Sequence, residues 1–161
     1  FRGRFKSGNV AVRLGPDGNM FVGGTDRGWG ARGGKRFALE RCYFNGKNPF
    51  EVLEMRAKPD GFEVIFTEPI DEKSGSDLAS YKMDSYTYIY QSGYGSPVVD
   101  KSTPAIKSAS VSQDKKSVYL KIDGLVKGNV HELNLPGIKN IEGKALLHQV
   151  GYYTLNEIPE N

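Results

Sequence analysis

The sequence predicts an all-β protein: a piece of about three strands followed by an Ig-like β-sandwich of about seven. Three observations carry this. No segment shows apolar residues at i, i+3, i+4 and i+7 over a dozen positions, so amphipathic helices are not expected. Short stretches of alternating polar and apolar residues recur instead, which is the pattern of half-buried strands. From Glu51 onward, turn signals fall every ~8–12 residues, the spacing of a sandwich.

The elements follow in order. "NVAVRLG" alternates, with Val10, Val12 and Leu14 expected on one face. "PDGN" (Pro16–Asn19) turns the chain, and "MFVGG" returns as the partner strand. "FALERCYFNG" (Phe37–Gly46) is a third strand, closed by Asn45-Gly46. A break at "NPF" (Asn48–Phe50) divides residues 1–48 from residues 49–161. "EVLEMRAK", the turn "PDG" and "FEVIFT" form the next hairpin. Phe62, Val64 and Phe66 alternate there, while Ile65 suggests cover on the second face too. "EKSGSDLASY" (Glu72–Tyr81) is the best local helix candidate, with Asp77 as a cap, but its Ser, Gly and Asp favour a loop. "YKMDSYTYIY" (Tyr81–Tyr90) is extended, and "QSGYGSPVVDKSTP" reads as a loop. "AIKSASVS", "SVYLKID", "VHELNLP" and "QVGYYTLNEI" complete the strands.

Three strands alone are marginal in water. The first part is therefore expected to pack on other structure, and it matches a partial propeller blade, since a full blade has four strands.

The 161 residues are 38% hydrophobic and 25% charged, as in a soluble globular protein with a sizeable core. No stretch approaches the ~18 apolar residues of a membrane helix. The chain begins at Phe1 without a signal-peptide pattern, which suggests a processed product or part of something longer. Cys42 is the only cysteine and is expected to be a small buried hydrophobe. His131 and His148 fit no metal spacing, so no metal site is expected.

Charge is uneven. Residues 1–48 hold ten Lys and Arg against three Asp and Glu, and the rest hold twelve against sixteen. Without a recognition helix or an RNP-like motif, nucleic acid is not the expected partner of the basic part. A neighbouring domain or an anionic ligand is, with Asp26, Arg27, Arg32 and Arg36 as candidate interface residues.

"LGPDGNMFVGGTDRGWG" (residues 14–30) raises the question of a phosphate loop. Such loops present their anion to a helix N-terminus, and no helix follows here. Gly23 and Gly24 are expected instead to allow a bulge or a close backbone approach. Trp29 would then pack between the two parts, or, with Asp26 and Arg27, touch a substrate.

Tyr86, Tyr88 and Tyr90 fall on one strand face by period two, with Tyr94 nearby. Exposed, the stripe would stack on sugar rings; half-buried, it would simply pack. Neither a calcium loop nor a paired-carboxylate or Ser/His/Asp arrangement is legible.

"LGPDGNMFVGGTDRGWG" followed by "FALERCYFNGKNPFEV" resembles the last blade of secreted bacterial propeller proteins related to glucose/sorbosone dehydrogenases. "FTEPID" and "SQDKKSVYLKI" resemble the Ig-like tail that follows it. The resemblance implies the non-catalytic C-terminal part of a larger secreted, periplasmic or cell-surface protein, docked against the rest of a propeller or other chains. It implies a parent carrying pyrroloquinoline quinone or c-type haem, and no cofactor in this chain. The alternatives are a carbohydrate-binding module or an assembly partner in an envelope complex.

Overall fold

A computed structural model describes residues 4–26 and 33–160. The described chain is all-β, with eleven strands in three antiparallel sheets. It divides into two compact units, Phe1–Lys47 and Asn48–Asn161.

The first unit is one sheet of order β1 (Asn9–Leu14), β2 (Met20–Thr25), β3 (Phe37–Cys42). Its first turn is held by side chains as well as backbone. Gly15 N–H donates to Asn19 O at 2.8 Å, and Asp17 Oδ1 accepts from Asn19 N at 3.1 Å. Asp17 Oδ2 also meets Arg41 Nη2 at 2.8 Å, tying the turn to β3. Gly24 has a different job: a Cβ there would lie 2.9 Å from both Gly8 O and Ser7 Cβ. Only glycine lets residues 7–8 run this close, and Thr25 N–H then bonds Gly8 O at 2.8 Å. The glycines of this stretch therefore serve backbone approach.

Alternation in β1 brings no burial. Val12 faces Val22 and Leu14 faces Met20, with a bulge between Asn9 and Ala11, yet all six residues of β1 are exposed. On the other face of the sheet, Phe37 and Leu39 are exposed as well. Val22 is the one buried apolar side chain among the described residues of this unit.

The second unit is a sandwich. One sheet has the order β4 (Val52–Lys58), β5 (Gly61–Phe66), β9 (Ser117–Asp123), β8 (Ala105–Val111). The other runs β11 (Val150–Thr154), β10 (Val130–Asn134), β6 (Lys82–Tyr88), β7 (Val98–Ser102). Period-two alternation puts Phe62, Val64 and Phe66 of β5 inward, paired with Leu120 and Val118 of β9. Met83 of β6 and Leu133 of β10 are likewise partners and fully buried. These side chains meet in one core with Ile70, Leu135, Ile138 and Leu155. Gly61 lies where β5 and β9 press together: a Cβ would fall 1.8 Å from Leu120 O.

Two stretches differ from the sequence expectation. The sandwich has eight strands, because Val98–Ser102 inside the expected loop forms β7. In Glu72–Tyr81 a helical turn α1 (Glu72–Ser76) forms, followed by a 3₁₀ turn at Leu78–Ser80. Asp71 caps the first by accepting from Ser74 N at 2.8 Å, and Asp77 caps the second by accepting from Ala79 N at 2.9 Å. Tyr81 then donates to Gly75 O at 2.5 Å, which locks the segment onto the core.

Entry into the sandwich is also fixed by side chains. Thr67 Oγ1 accepts from Glu51 N at 2.9 Å and donates to Pro49 O at 2.7 Å, beside the buried Phe50.

Candidate functional site

The outward face of the sheet β11-β10-β6-β7 carries the most chemistry. The alternation that buries Met83 and Ser85 turns Lys82, Asp84, Tyr86 and Tyr88 outward. Register sets Glu132 opposite Asp84 and Val130 opposite Tyr86, and Tyr152 of β11 opposite Glu132. At the β7 edge the register shifts: one residue, Tyr86, faces two, Asp100 and Lys101. Asp100 sits at φ 53°, the left-handed conformation that aspartate tolerates better than most residues. This bulge brings Lys101 beside Tyr86.

The result is a groove of about 570 Å³, lined by Asp84, Tyr86, Val98, Lys101, Thr103 and Glu132 among others. Tyr86 donates to Glu132 Oε2 at 3.2 Å, and its ring meets that of Tyr88 edge-on, 5.7 Å between centroids. Desolvation, then hydrogen bonding with Tyr88 and Glu132, pushes the Tyr86 phenol up to about 12, so it stays protonated as a donor. Asp84 pairs with Lys82 at 3.0 Å and accepts from Thr103 Oγ1 at 3.3 Å.

The sequence-derived candidates separate. Tyr86 and Tyr88 share this face; β6 ends at Tyr88, so Tyr90 and Tyr94 lie on the following loop, both fully exposed. Asp26 pairs with Arg36 at 3.3 Å across the β2–β3 connection. Trp29, Arg27 and Arg32 lie outside the described residues. Glu132, Lys101 and Tyr152 went unnoticed in the sequence. Each reaches the site only through strand pairing with distant segments, and no local signal marks them.

The carboxylates elsewhere are engaged structurally. Asp71 and Asp77 are caps, Glu72 pairs with Lys115 at 3.1 Å, and Glu63 pairs with Lys58 at 3.1 Å. Glu68 accepts from Asn140 Nδ2 at 2.7 Å. Among the described residues, no group of three or more His, Cys, Asp or Glu side chains is arranged to hold a metal. No described helix is long and apolar enough to cross a membrane.

No family model matches the chain, and no curated protein matches it. Solved structures do. The crystal structure of the S-layer protein rSbsC(31-844) aligns with a TM-score of 0.51 at 20% identity, covering 68% of this chain and 14% of that one. The N-terminal part of the bacterial S-layer protein SbsC aligns with a TM-score of 0.51 at 19% identity, covering 68% of this chain and 24% of that one. What is shared is the fold. The chain spans 14–24% of the length of these two structures.

These neighbours overturn the resemblance to glucose/sorbosone dehydrogenase propellers. They are S-layer fragments, and nothing relates the chain to a propeller dehydrogenase or supports an oxidoreductase-like character. The physical reason is plain in the motifs that suggested it. "PDGN" closes a hairpin and Gly24 admits a neighbouring backbone, requirements that antiparallel sheets of any kinship share.

Proposed function

We propose that this chain is a non-catalytic structural module of a secreted or cell-surface protein assembly. The sandwich is the rigid unit, and the three-stranded sheet is where another protein chain joins. The observation that carries this reading is the first sheet. β1 and β3 are its two edges, and large apolar side chains stand exposed on both faces, Leu14 at 76% and Leu39 at 77%. Sheet edges without a partner strand among the described residues, beside exposed apolar side chains, favour strand addition by a neighbour. The likeness of fold to fragments of a bacterial S-layer protein supports the same reading.

Sedimentation velocity over a range of concentrations, with and without the secreted proteins of the source, tests it. Association is expected, and Leu14→Lys with Leu39→Lys is expected to abolish it. A chain that stays monomeric in both conditions, or associates equally well with both lysines in place, would overturn the proposal.

A further inference from the structure

The groove beside Tyr86 stands apart from the assembly reading, on a different unit of the chain. Glu132 and Asp84 are directly opposed on β10 and β6, which sets their Cβ atoms about 4.5–5.5 Å apart on the same face. Two like charges so placed are unfavourable unless donors satisfy them. Part of that need is met inside the protein: Asp84 has Lys82 and Thr103, and Glu132 has the Tyr86 hydroxyl and, at 3.5 Å, Asn134 Nδ2. A carboxylate offers about four acceptor sites, so capacity remains toward the groove. Lys101 lines the same groove and forms no ion pair among the described residues, leaving its three donors available. Tyr86 and Val98 supply apolar surface, and Tyr88, 48% exposed, prolongs it along the strand.

We propose that this groove binds a neutral pyranose oligosaccharide, with Tyr86 as the stacking platform, Glu132 and Asp84 accepting from a vicinal diol, and Lys101 donating to a sugar oxygen. The chemistry selects this class. A pyranose has an apolar face that suits an aromatic ring, and hydroxyls that both donate and accept. An acidic sugar would meet two carboxylates. The volume of about 570 Å³ falls within the ~300–1,000 Å³ of small-ligand sites and suits one or two sugar rings. The bulge at Asp100 gives the groove its wall by re-aiming Lys101 toward Tyr86.

The test is an NMR titration of the amide-labelled full chain with neutral trisaccharides of glucose, N-acetylglucosamine, mannose and galactose. At least one is expected to give saturable shifts confined to residues 84–86, 98–103 and 130–132, with millimolar affinity or better. Glu132→Gln is expected to weaken binding about tenfold, a loss the size of a good hydrogen bond to a charged acceptor. Tyr86→Phe, which keeps the ring, is expected to weaken it less than Tyr86→Ala. No saturable shift with any of the four sugars up to ~10 mM, about tenfold above the millimolar affinity expected, would overturn the proposal. So would unchanged affinity in Glu132→Gln, or binding of an arginine-rich peptide in the groove where all four sugars fail.

Discussion

The two units of this chain use the same local grammar and reach different ends. In the first sheet, β1 and β2 pair through a tight turn, with one bulge, as several strand pairs of the sandwich also have. Yet pairing leaves β1 exposed along its whole length, because the described residues of its own unit supply no second sheet to cover it. In the sandwich, the same alternation takes Phe62, Val64 and Leu120 to full burial, because an opposing sheet lies across them. Alternation sets which side chains share a face. Burial, and the stability it brings, requires a second layer.

Substitutions can break or sharpen this contrast. The largest effect is expected from Phe62→Ala, which empties a fully buried aromatic site between the sheets. Denaturant unfolding of the sandwich should show a loss of about 3–5 kcal/mol. A loss near zero would mean that the two sheets do not share one core.

Thr67→Val comes next. It removes the hydroxyl that serves Glu51 N–H and Pro49 C=O at the entry to the sandwich. The expected cost is about 1–3 kcal/mol, the range for part-buried polar groups left unpaired. Protection of the Glu51 amide from hydrogen exchange should fall with it.

A smaller effect, with a direction that pH sets, is expected from His131. It is buried beside Phe62 with ring centroids 5.5 Å apart, and desolvation holds its imidazole below the ordinary value. The unfolded chain binds this proton near pH ~6.5, while the native chain does not until a lower pH. Stability attributable to His131 is therefore complete above that value and declines as pH falls through the window below it. Unfolding curves between pH ~7.5 and ~5.5 should show the decline in the sandwich, and His131→Leu should flatten it. The first unit contains no histidine and should not share the slope.

The smallest effect is expected from Leu39→Ala, on an exposed face of the first sheet. At concentrations where the chain is monomeric, its change in unfolding free energy should stay within about 0.5 kcal/mol, as for ordinary surface sites. A larger loss is expected only where the chain associates and a neighbour covers this face.

Much of the fold was legible because its cause is local. β5 and β9 were readable because every second residue is apolar and the core takes that face, and β10 because His131 and Leu133 alternate with outward residues. β7 was not. Its residues, Val98–Ser102, follow a Gly, Ser and Pro stretch and include a left-handed Asp100, so composition pointed to a loop. Pairing with β6 is what makes it a strand. The short helical turn at Glu72 was the best helix candidate in the sequence, with Asp77 as a cap, but its Ser, Gly and Asp tipped the reading to a loop; the caps at Asp71 and Asp77 and the Tyr81–Gly75 bond outweigh that weak propensity. At the candidate site, the shared face of Tyr86 and Tyr88 followed from period two. Glu132 did not, because a register across 46 residues places it there. The dehydrogenase resemblance failed at the same boundary, since turn and strand motifs report local geometry and leave ancestry open.

The Thr67 clasp has a mechanical meaning. Tension passed along the backbone from the first unit must enter the sandwich through Pro49, Phe50 and Glu51. One hydroxyl holds the chain on both sides of the buried Phe50 ring, bonded to Pro49 O before it and to Glu51 N after it. The pull therefore meets two hydrogen bonds and an anchored aromatic ring before it can strip the first ladder bond of β4.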